Sequence, residues 1–380
     1  MKPAVTVLGG FLGAGKTTLL RHLLAQSAGR RWAVVVNDLA ALNIDGALVR
    51  ADPLPGGGEV VELQGGCVCC SGRDDLGETL ARLAAEGRYE HILVESTGVA
   101  EPRGVAALFT RKNPFGRALA DFATLSSLVT VLDAAFFHAE WRAYHGAAPK
   151  RGWAAAGRES PALSLMIEQA ECADLIVLNH RDRLDAAGGD GARRVVEEIV
   201  RGLNPRAELR WCERGRLDAD DVLGVARFDP AATVGAARWI RELNALSPVV
   251  RPVARPAGAR HGLGAVVYRE RRPFARERLR ALLEDGLPGV LRAKGFCWTR
   301  EQPDEMGFVS IAGGVANLET LNPWWAAMIE RGRATLAERP ASVVAAWAEP
   351  WGDRRQEIVL IGPGLDEAAL VAALDGALAG

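Results

Sequence analysis

Gly10-Phe-Leu-Gly13-Ala14-Gly15-Lys16-Thr17 fits the pattern GxxxxGK[ST], a spacing that holds the phosphates of a nucleotide. Glycines let backbone N–H groups turn inward around a β-phosphate, and the helix that follows adds its positive dipole end. Lys16 then reaches the β- and γ-phosphates, and the Thr17 hydroxyl coordinates Mg²⁺. Thr18, at the helix start, completes the expected nucleotide-binding set of Gly10, Gly13, Ala14, Gly15, Lys16 and Thr17. A ligand-free Gly-rich turn is the plain alternative, and the apolar run before the loop and helical run after it weigh against that. His22, on the same helix, reads as packed or solvated.

His91-Ile-Leu-Val-Glu95 is an apolar strand ending in a carboxylate, followed by Ser96-Thr97-Gly98. Beside a phosphate loop, such a carboxylate orients Mg²⁺ or its water, and the glycine N–H senses the γ-phosphate. Glu95 is therefore both a candidate Mg²⁺ ligand and, with Lys16, a candidate catalytic group. Without the loop it would be an ordinary strand-end Glu. A further strand, Asp174–Leu178, runs into Asn179-His180-Arg181-Asp182. An NxxD after such a strand recognises guanine, because the carboxylate accepts from the ring N–H and the exocyclic amine, a pair adenine does not offer. Lys is usual at the second position, and the His180 ring can stack in its place. The alternative is a polar turn with Asp182 capping the next helix.

Gly65-Gly66-Cys67-Val68-Cys69-Cys70 brings three thiols within four residues. Cys67, Cys69 and Cys70 can converge on a soft or borderline ion such as Zn²⁺. One position is left for Glu59, Glu62, a water or a partner's residue. An incomplete site suits metal transfer, since a closed Cys₄ site holds its zinc tightly. A redox pair and buried structural thiols are the competing readings. Cys172, Cys212 and Cys297 stand alone and read as core residues.

These groups need a scaffold. Apolar runs at Ala4–Gly9, Trp32–Asn37, His91–Glu95, Leu128–Asp133, Asp174–Leu178 and, more weakly, Glu208–Cys212 read as strands. Helical stretches fall between them at Lys16–Ala25, Leu76–Ala85, Ala162–Ala170 and Ala192–Leu203. Strands this uniformly apolar are buried on both faces, so the expected fold is α/β, a doubly wound parallel sheet. His138–Ser160 interrupts the rhythm and reads as a surface excursion. Ser247–Gly262, with Pro248, Pro252 and Pro256, reads as a linker. Beyond it we expect a C-terminal α+β domain. Its strands are near Ala265–Arg269, Gly295–Thr299, Phe308–Ala312, Ser342–Ala346 and Gln356–Gly362. Its helices are near Phe274–Leu283, Trp324–Leu336 and from Asp366. The expected division is thus 1–246, 247–262 and 263–380.

Composition excludes other classes. The 380 residues carry 46 Lys+Arg against 47 Asp+Glu, with 49% hydrophobic residues, as in a folded protein long enough for two domains. Five of the basic residues are Lys, and the arginines are spread along the chain. That is a compositional habit and not a nucleic-acid footprint. No apolar run approaches the roughly 18–20 residues of a membrane span. Lys2 and the run after it lead into the Gly-rich loop, where a signal peptide would need a cleavage site. Clustered cysteines without a disulfide framework point to the cytoplasm.

Taken together, the motifs resemble the CobW family of P-loop GTPases, relatives of the HypB and UreG nickel-insertion GTPases. GGFLGAGKTTLL at Gly9–Leu20, GGCVCC at Gly65–Cys70, ESTGVAEP at Glu95–Pro102 and EQAECADLIVLNHRD at Glu168–Asp182 look like four of its motifs in order. VVYRERRPF at Val266–Phe274, LRAKGFCW at Leu291–Trp298 and IAGG at Ile311–Gly314 are similar to its C-terminal domain. The resemblance implies a GTP-dependent metallochaperone, most often for zinc, with some members linked to cobalt in cobalamin synthesis or nitrile hydratase activation. Three departures stand out. Ala41 replaces a Glu of the switch segment, leaving Asp38 and Asp45 to position Mg²⁺ or the attacking water. His180 replaces the motif Lys. The linker offers His261 where many relatives carry a His-rich tract.

The leading expectation is a cytoplasmic GTPase using GTP and Mg²⁺ that hands Zn²⁺, or cobalt, to a client metalloprotein. Its C-terminal domain would contact the client or a second copy in a homodimer, through Trp298, Trp324 and Trp325 if these are not core. Neither nucleic acid nor membrane is an expected partner. The rivals are a P-loop kinase acting on a small acceptor, and a nucleotide-gated adaptor with structural cysteines.

Overall fold

The computed structural model describes residues 2–36, 59–62, 72–96, 102–110, 116–146, 160–229 and 263–380. They form two compact units. The first holds residues up to Ala139 and those from Leu165 to 229, and the second holds Glu140–Ser164 together with the C-terminal part.

The first unit is built on seven parallel strands: β1 (Ala4–Gly9), β2 (Trp32–Val36), β3 (Glu59–Glu62), β4 (His91–Glu95), β5 (Thr124–Asp133), β6 (Leu175–Asn179) and β7 (Glu208–Trp211). Their order is β3-β2-β4-β1-β5-β6-β7, so β2, β3 and β4 lie on one side of β1 and β5, β6 and β7 on the other. The chain's helices up to residue 229 are, in order, α1 (Lys16–Leu24), α2 (Gly72–Ala85), α3 (Pro102–Thr110), α4 (Ala134–Gly146), α5 (Pro161–Cys172), α6 (Arg181–Leu203) and α7 (Ala219–Leu223), with Glu140–Gly146 of α4 and Pro161–Ser164 of α5 counted in the second unit. Period-two alternation splits β1 between two cores. Val5 and Val7 pack with Leu76, Leu80 and Leu83 of α2, whereas Leu8 packs with Leu19, Leu20 and Leu23 of α1. Both faces of the sheet are covered, as a doubly wound sheet requires. Helix α6 carries Gly189 at φ 57° and ψ −145°, which breaks it into two segments.

The second unit has a five-stranded antiparallel sheet, β8 (Leu263–Glu270), β9 (Arg292–Thr299), β10 (Gln302–Ala312), β11 (Val315–Pro323) and β12 (Gln356–Pro363). The order is β11-β10-β9-β12-β8. Helices α8 (Arg276–Asp285) and α11 (Glu367–Gly376) send Leu279, Leu283, Leu370 and Leu374 into its core. Between β11 and β12 lie α9 (Trp325–Glu330) and α10 (Ala341–Ala346).

Several expectations need correcting. His138–Ser160 is no simple excursion: α4 runs through Gly146 and buries Trp141 and Tyr144, whose hydroxyl donates to the Val290 carbonyl at 2.7 Å. Ser342–Ala346 is helical, because the Pro340 carbonyl accepts from Val343 and Val344 N–H and starts a turn among alanines. The helix expected over Trp324–Leu336 ends at Glu330, with Gly332 at φ 66° just beyond. Trp298 and Trp324 are 5% and 0% exposed, so both are core and not a contact surface. Cys172, Cys212 and Cys297 are buried as expected. Among the described residues no helix is long and apolar enough to cross a membrane.

Candidate functional site

Parallel strands deliver their carboxyl ends to one edge of the sheet, and at the point where the connections diverge a cleft is expected. That edge carries the loop after β1, Glu95 at the end of β4, Asp133 at the end of β5 and Asn179 at the end of β6. Leu8 pairs in register with Glu95, and Asp133 with Asn179, so these groups come from adjacent strands at matching depth.

The loop's shape is dictated by its glycines. Gly10 has φ 140°, and a Cβ there would lie 2.1 Å from the Val131 carbonyl oxygen on β5. Gly15 sits at φ 98° and ψ 24° as the residue before α1, and its carbonyl accepts from Leu19 N–H. A Cβ on Gly15 would come within 2.3 Å of Asn179 Nδ2. Gly13, at φ 76°, has no atom within 4 Å of that position. Gly10 and Gly15 are thus held by contact as well as torsion, Gly13 by torsion alone.

Lys16 is 8% exposed, and its Nζ donates to the carbonyls of Gly10 at 2.9 Å and Phe11 at 3.1 Å. Burial lowers its pKa from the ordinary lysine value, and the nearby Glu95 charge opposes that shift. The Thr17 hydroxyl donates to Glu95 Oε1 at 2.6 Å. A hydroxyl and a carboxylate oxygen are hard donors suited to Mg²⁺, which takes one or two protein oxygens beside phosphate and water. Ser96 is held by Leu8, whose carbonyl accepts from its N–H at 3.0 Å and its hydroxyl at 3.2 Å. Thr18 is exposed on the first turn of α1, and His22 is half-buried.

Asn179 is fully buried and ties three segments together. Its Nδ2 donates to the Ala14 carbonyl at 2.8 Å, while Oδ1 accepts from Gly215 N–H at 3.1 Å and Cys212 Sγ at 3.2 Å. Asn179, expected from the sequence to help select guanine, thus bonds the end of β6 to the phosphate loop and to the loop after β7. Asp182 lies exposed in the first turn of α6, and His180 occupies the cap position, so Asp182 does not cap that helix. Gly215 and Cys212 were missed. Gly215, at φ 66°, would put a Cβ 2.8 Å from Leu19 N, so the loop after β7 lies against α1. The sequence signal was a glycine three residues beyond a cysteine at the end of the last parallel strand. Burial pushes the Cys212 thiol up to about 11, which makes it a neutral donor.

Asp38, Asp45, Cys67, Cys69, Cys70 and Gly98 lie outside the described residues, as do Ala41 and His261. Among the described residues no group of three or more His, Cys, Asp or Glu could hold a metal ion.

Known proteins extend this picture. Residues 4–210 match the family described as CobW/HypB/UreG, nucleotide-binding domain, and residues 263–378 match the cobalamin synthesis protein cobW C-terminal domain. The chain is 32% identical over 375 residues to zinc-regulated GTPase metalloprotein activator 1 of Dictyostelium discoideum, covering 95% of this chain and 76% of that protein. It is 34% identical over 233 residues to the zinc chaperone CobW of Pseudomonas aeruginosa, covering 59% of this chain and 60% of that one. Among solved structures, the Zn(II)-bound YjiA GTPase from E. coli aligns over 100% of both chains at 20% identity with a TM-score of 0.42. The nucleotide-binding match spans more than half of the chain, and every strand end that builds the site falls within it: this chain belongs to the CobW/HypB/UreG family.

Proposed function

We propose that this chain is a GTP-hydrolysing metallochaperone that couples nucleotide state to delivery of a metal, most readily zinc, to a client protein. The observation that carries the nucleotide half is the convergence of Lys16, Thr17 and Glu95 at the strand ends, with Asn179 bonding the base-reading turn to the phosphate loop. The metal half is supported by the Cys67, Cys69 and Cys70 motif and by two relatives, which are named a zinc-regulated activator and a zinc chaperone.

Each residue then has a task. The loop from Gly10 to Thr17 cradles the phosphates, and Lys16 neutralises charge that develops on the γ-phosphate. Thr17 and Glu95 are the residues that would hold Mg²⁺, whose contribution is charge neutralisation between phosphates. Asp38 or Asp45 orients the attacking water, and Gly98 reports the γ-phosphate. Asp182 accepts from the guanine edge. Metal affinity changes with the nucleotide because the cysteine loop lies in sequence between Asp38 and Gly98, the segments a γ-phosphate would order. We assign the nucleotide function to 1–246, a linker to 247–262 and client or self contact to 263–380. We also assign the protein to the cytoplasm, where thiol ligands stay reduced.

The test is a chelator competition for zinc with no nucleotide, with GDP and with a non-hydrolysable GTP analogue. We expect zinc affinity to differ by about 5–150-fold between nucleotide states, with reciprocal effects on nucleotide affinity. Identical zinc affinity in all three states rejects the coupling. Full zinc affinity in a Cys67→Ser, Cys69→Ser, Cys70→Ser variant rejects the ligand assignment.

A further inference from the structure

The antiparallel sheet ends on β11, and the turn before that strand fixes which of its groups face outward. Gly313 and Gly314 have φ 53° and 83°, as a two-residue hairpin turn between Ala312 and Val315 requires. Such a turn closes on a hydrogen-bonded pair, and bonded pairs then alternate along the hairpin. Gly313 N–H donates to the Leu291 carbonyl, on the β9 side, in keeping with that phase. Val315, Asn317 and Glu319 therefore direct their backbone groups to Ala312, Ser310 and Phe308. Ala316, Leu318 and Thr320 turn theirs to the open side, where no strand among the described residues takes them up.

Sheet edges are ordinarily blunted by proline, by lysine or by a bulge. Val315–Thr320 contains neither Pro nor Lys, and the shift in register with β10 comes after Thr320. Asn317, Glu319 and Thr320 are exposed. Ala316 and Leu318 are half-buried, and with Arg276, Arg280, Leu283 and Glu284 of α8 they line a groove of about 370 Å³ along the edge. An unpaired strand beside such a groove is a surface on which another strand can add.

The edge is complementary to itself. About a two-fold axis at Leu318, antiparallel pairing sets Leu318 against Leu318, Ala316 against Thr320 and Asn317 against Glu319 of the second copy. All three outward residues of each copy then meet outward partners. A register moved away from the turn sets Glu319 against Glu319, and one moved toward it leaves Thr320 without a partner. The same axis keeps both α8 helices on one face of the sheet and runs them in opposite directions. The basic end of one, Arg276 and Arg280, then faces the acidic end of the other, Glu284 and Asp285.

We propose that β11 is a self-association edge: two copies of this chain pair β11 with β11 and join their five-stranded sheets into one continuous sheet. The proposal rests on the self-contact assigned above to 263–380, and it needs neither nucleotide nor zinc.

The experiment sediments the full chain from about 1 to 100 μM, the range of a small interface, with chelator and without nucleotide. We expect a concentration-dependent dimer, with slower deuterium exchange at the amides of Ala316, Leu318 and Thr320 as the dimer forms. Thr320→Pro removes one outward N–H and none of the bonds to β10, so it should sediment as a monomer with an unchanged circular dichroism spectrum. Asn317→Glu, on an exposed position, places like charges opposite each other twice and should weaken the dimer roughly twofold to thirtyfold. Adding Glu319→Lys to that variant restores opposite charges in the same register and should restore the dimer. A wild-type chain that stays monomeric throughout overturns the proposal, leaves the edge to an extended segment of a client, and does not touch the nucleotide and metal coupling. A dimer that survives Thr320→Pro, an Asn317→Glu variant as tight as wild type, or no recovery with Glu319→Lys would also overturn it.

Discussion

Asn179 donates its side-chain amide to the carbonyl of Ala14 at 2.8 Å, across 165 residues of sequence. The end of β6 and the phosphate loop are therefore joined by a buried side-chain bond. A change on either side is felt on the other.

Gly15→Ala tests that bond. The added methyl meets Asn179 Nδ2 at 2.3 Å and must also adopt φ 98°. Left-handed strain of about 1–2 kcal/mol and a lost hydrogen bond of about 1 kcal/mol should lower stability by roughly 2–3 kcal/mol. Nucleotide binding should fall along with it. Urea unfolding and GTP titration measure the two effects, and a variant as stable and as tight as wild type would show that the contact is relieved freely.

Lys16→Ala should remove nucleotide turnover and leave the fold intact. Its Nζ lies against two loop carbonyls and its burial is local, so the core it adjoins keeps its packing. Circular dichroism and phosphate release report on the two halves. Wild-type hydrolysis by the folded variant would sink the phosphate-loop assignment.

Asp182→Asn should move preference from guanine towards xanthine nucleotides. A lost bidentate contact costs more than about 1.4 kcal/mol, so wild-type protein should bind GTP at least about tenfold more tightly than ATP. Competition titrations with GTP, ATP and XTP provide the measurement. Unchanged selectivity in the variant would remove Asp182 from the base site.

Stability should fall below neutral pH through His91. Burial depresses this histidine from 6.5 to about 4, and its Nε2 lies 2.8 Å from Thr6 Oγ1. The unfolded chain therefore takes the proton first. The neutral ring's contribution is complete above about pH 6.5 and drains away as pH falls toward about 4, by at most roughly 3 kcal/mol. His91→Gln keeps a polar partner for Thr6 without titrating, so it should flatten the profile between pH 7 and 4.5. Parallel wild-type and variant curves in urea would rule His91 out.

The sequence was most legible where one requirement acted alone. Val5, Val7 and Leu8 had to be apolar on both faces, so β1 could be read to the residue. The glycines and Lys16 followed from phosphate geometry. Legibility failed where local preference and context disagreed. Val343 and Val344 suggested a strand, but Pro340 and the flanking alanines started a helix. Strand β11 escaped notice because Ala316 and Leu318 turn inward between exposed polar residues, and its hairpin partner β10 defines it. In the site, Asp182 and Glu95 were visible as motif members. Cys212 and Gly215 were not, since their roles arise from strands that become neighbours after folding.

The break at Gly189 divides α6 into halves of unequal strength. Beyond it, Ala192, Val196, Ile199, Val200 and Leu203 are buried, whereas before it Leu184 is the buried member. Local opening follows buried apolar contact, so the first half is the part that unfolds by itself while the sheet stays closed. It carries Arg181, Asp182 and Arg183. Its amides should exchange with deuterium well before those of 192–203, and a bound purine nucleotide should slow them most. If this segment reads the base, as proposed, it is the one whose ordering the ligand itself must complete.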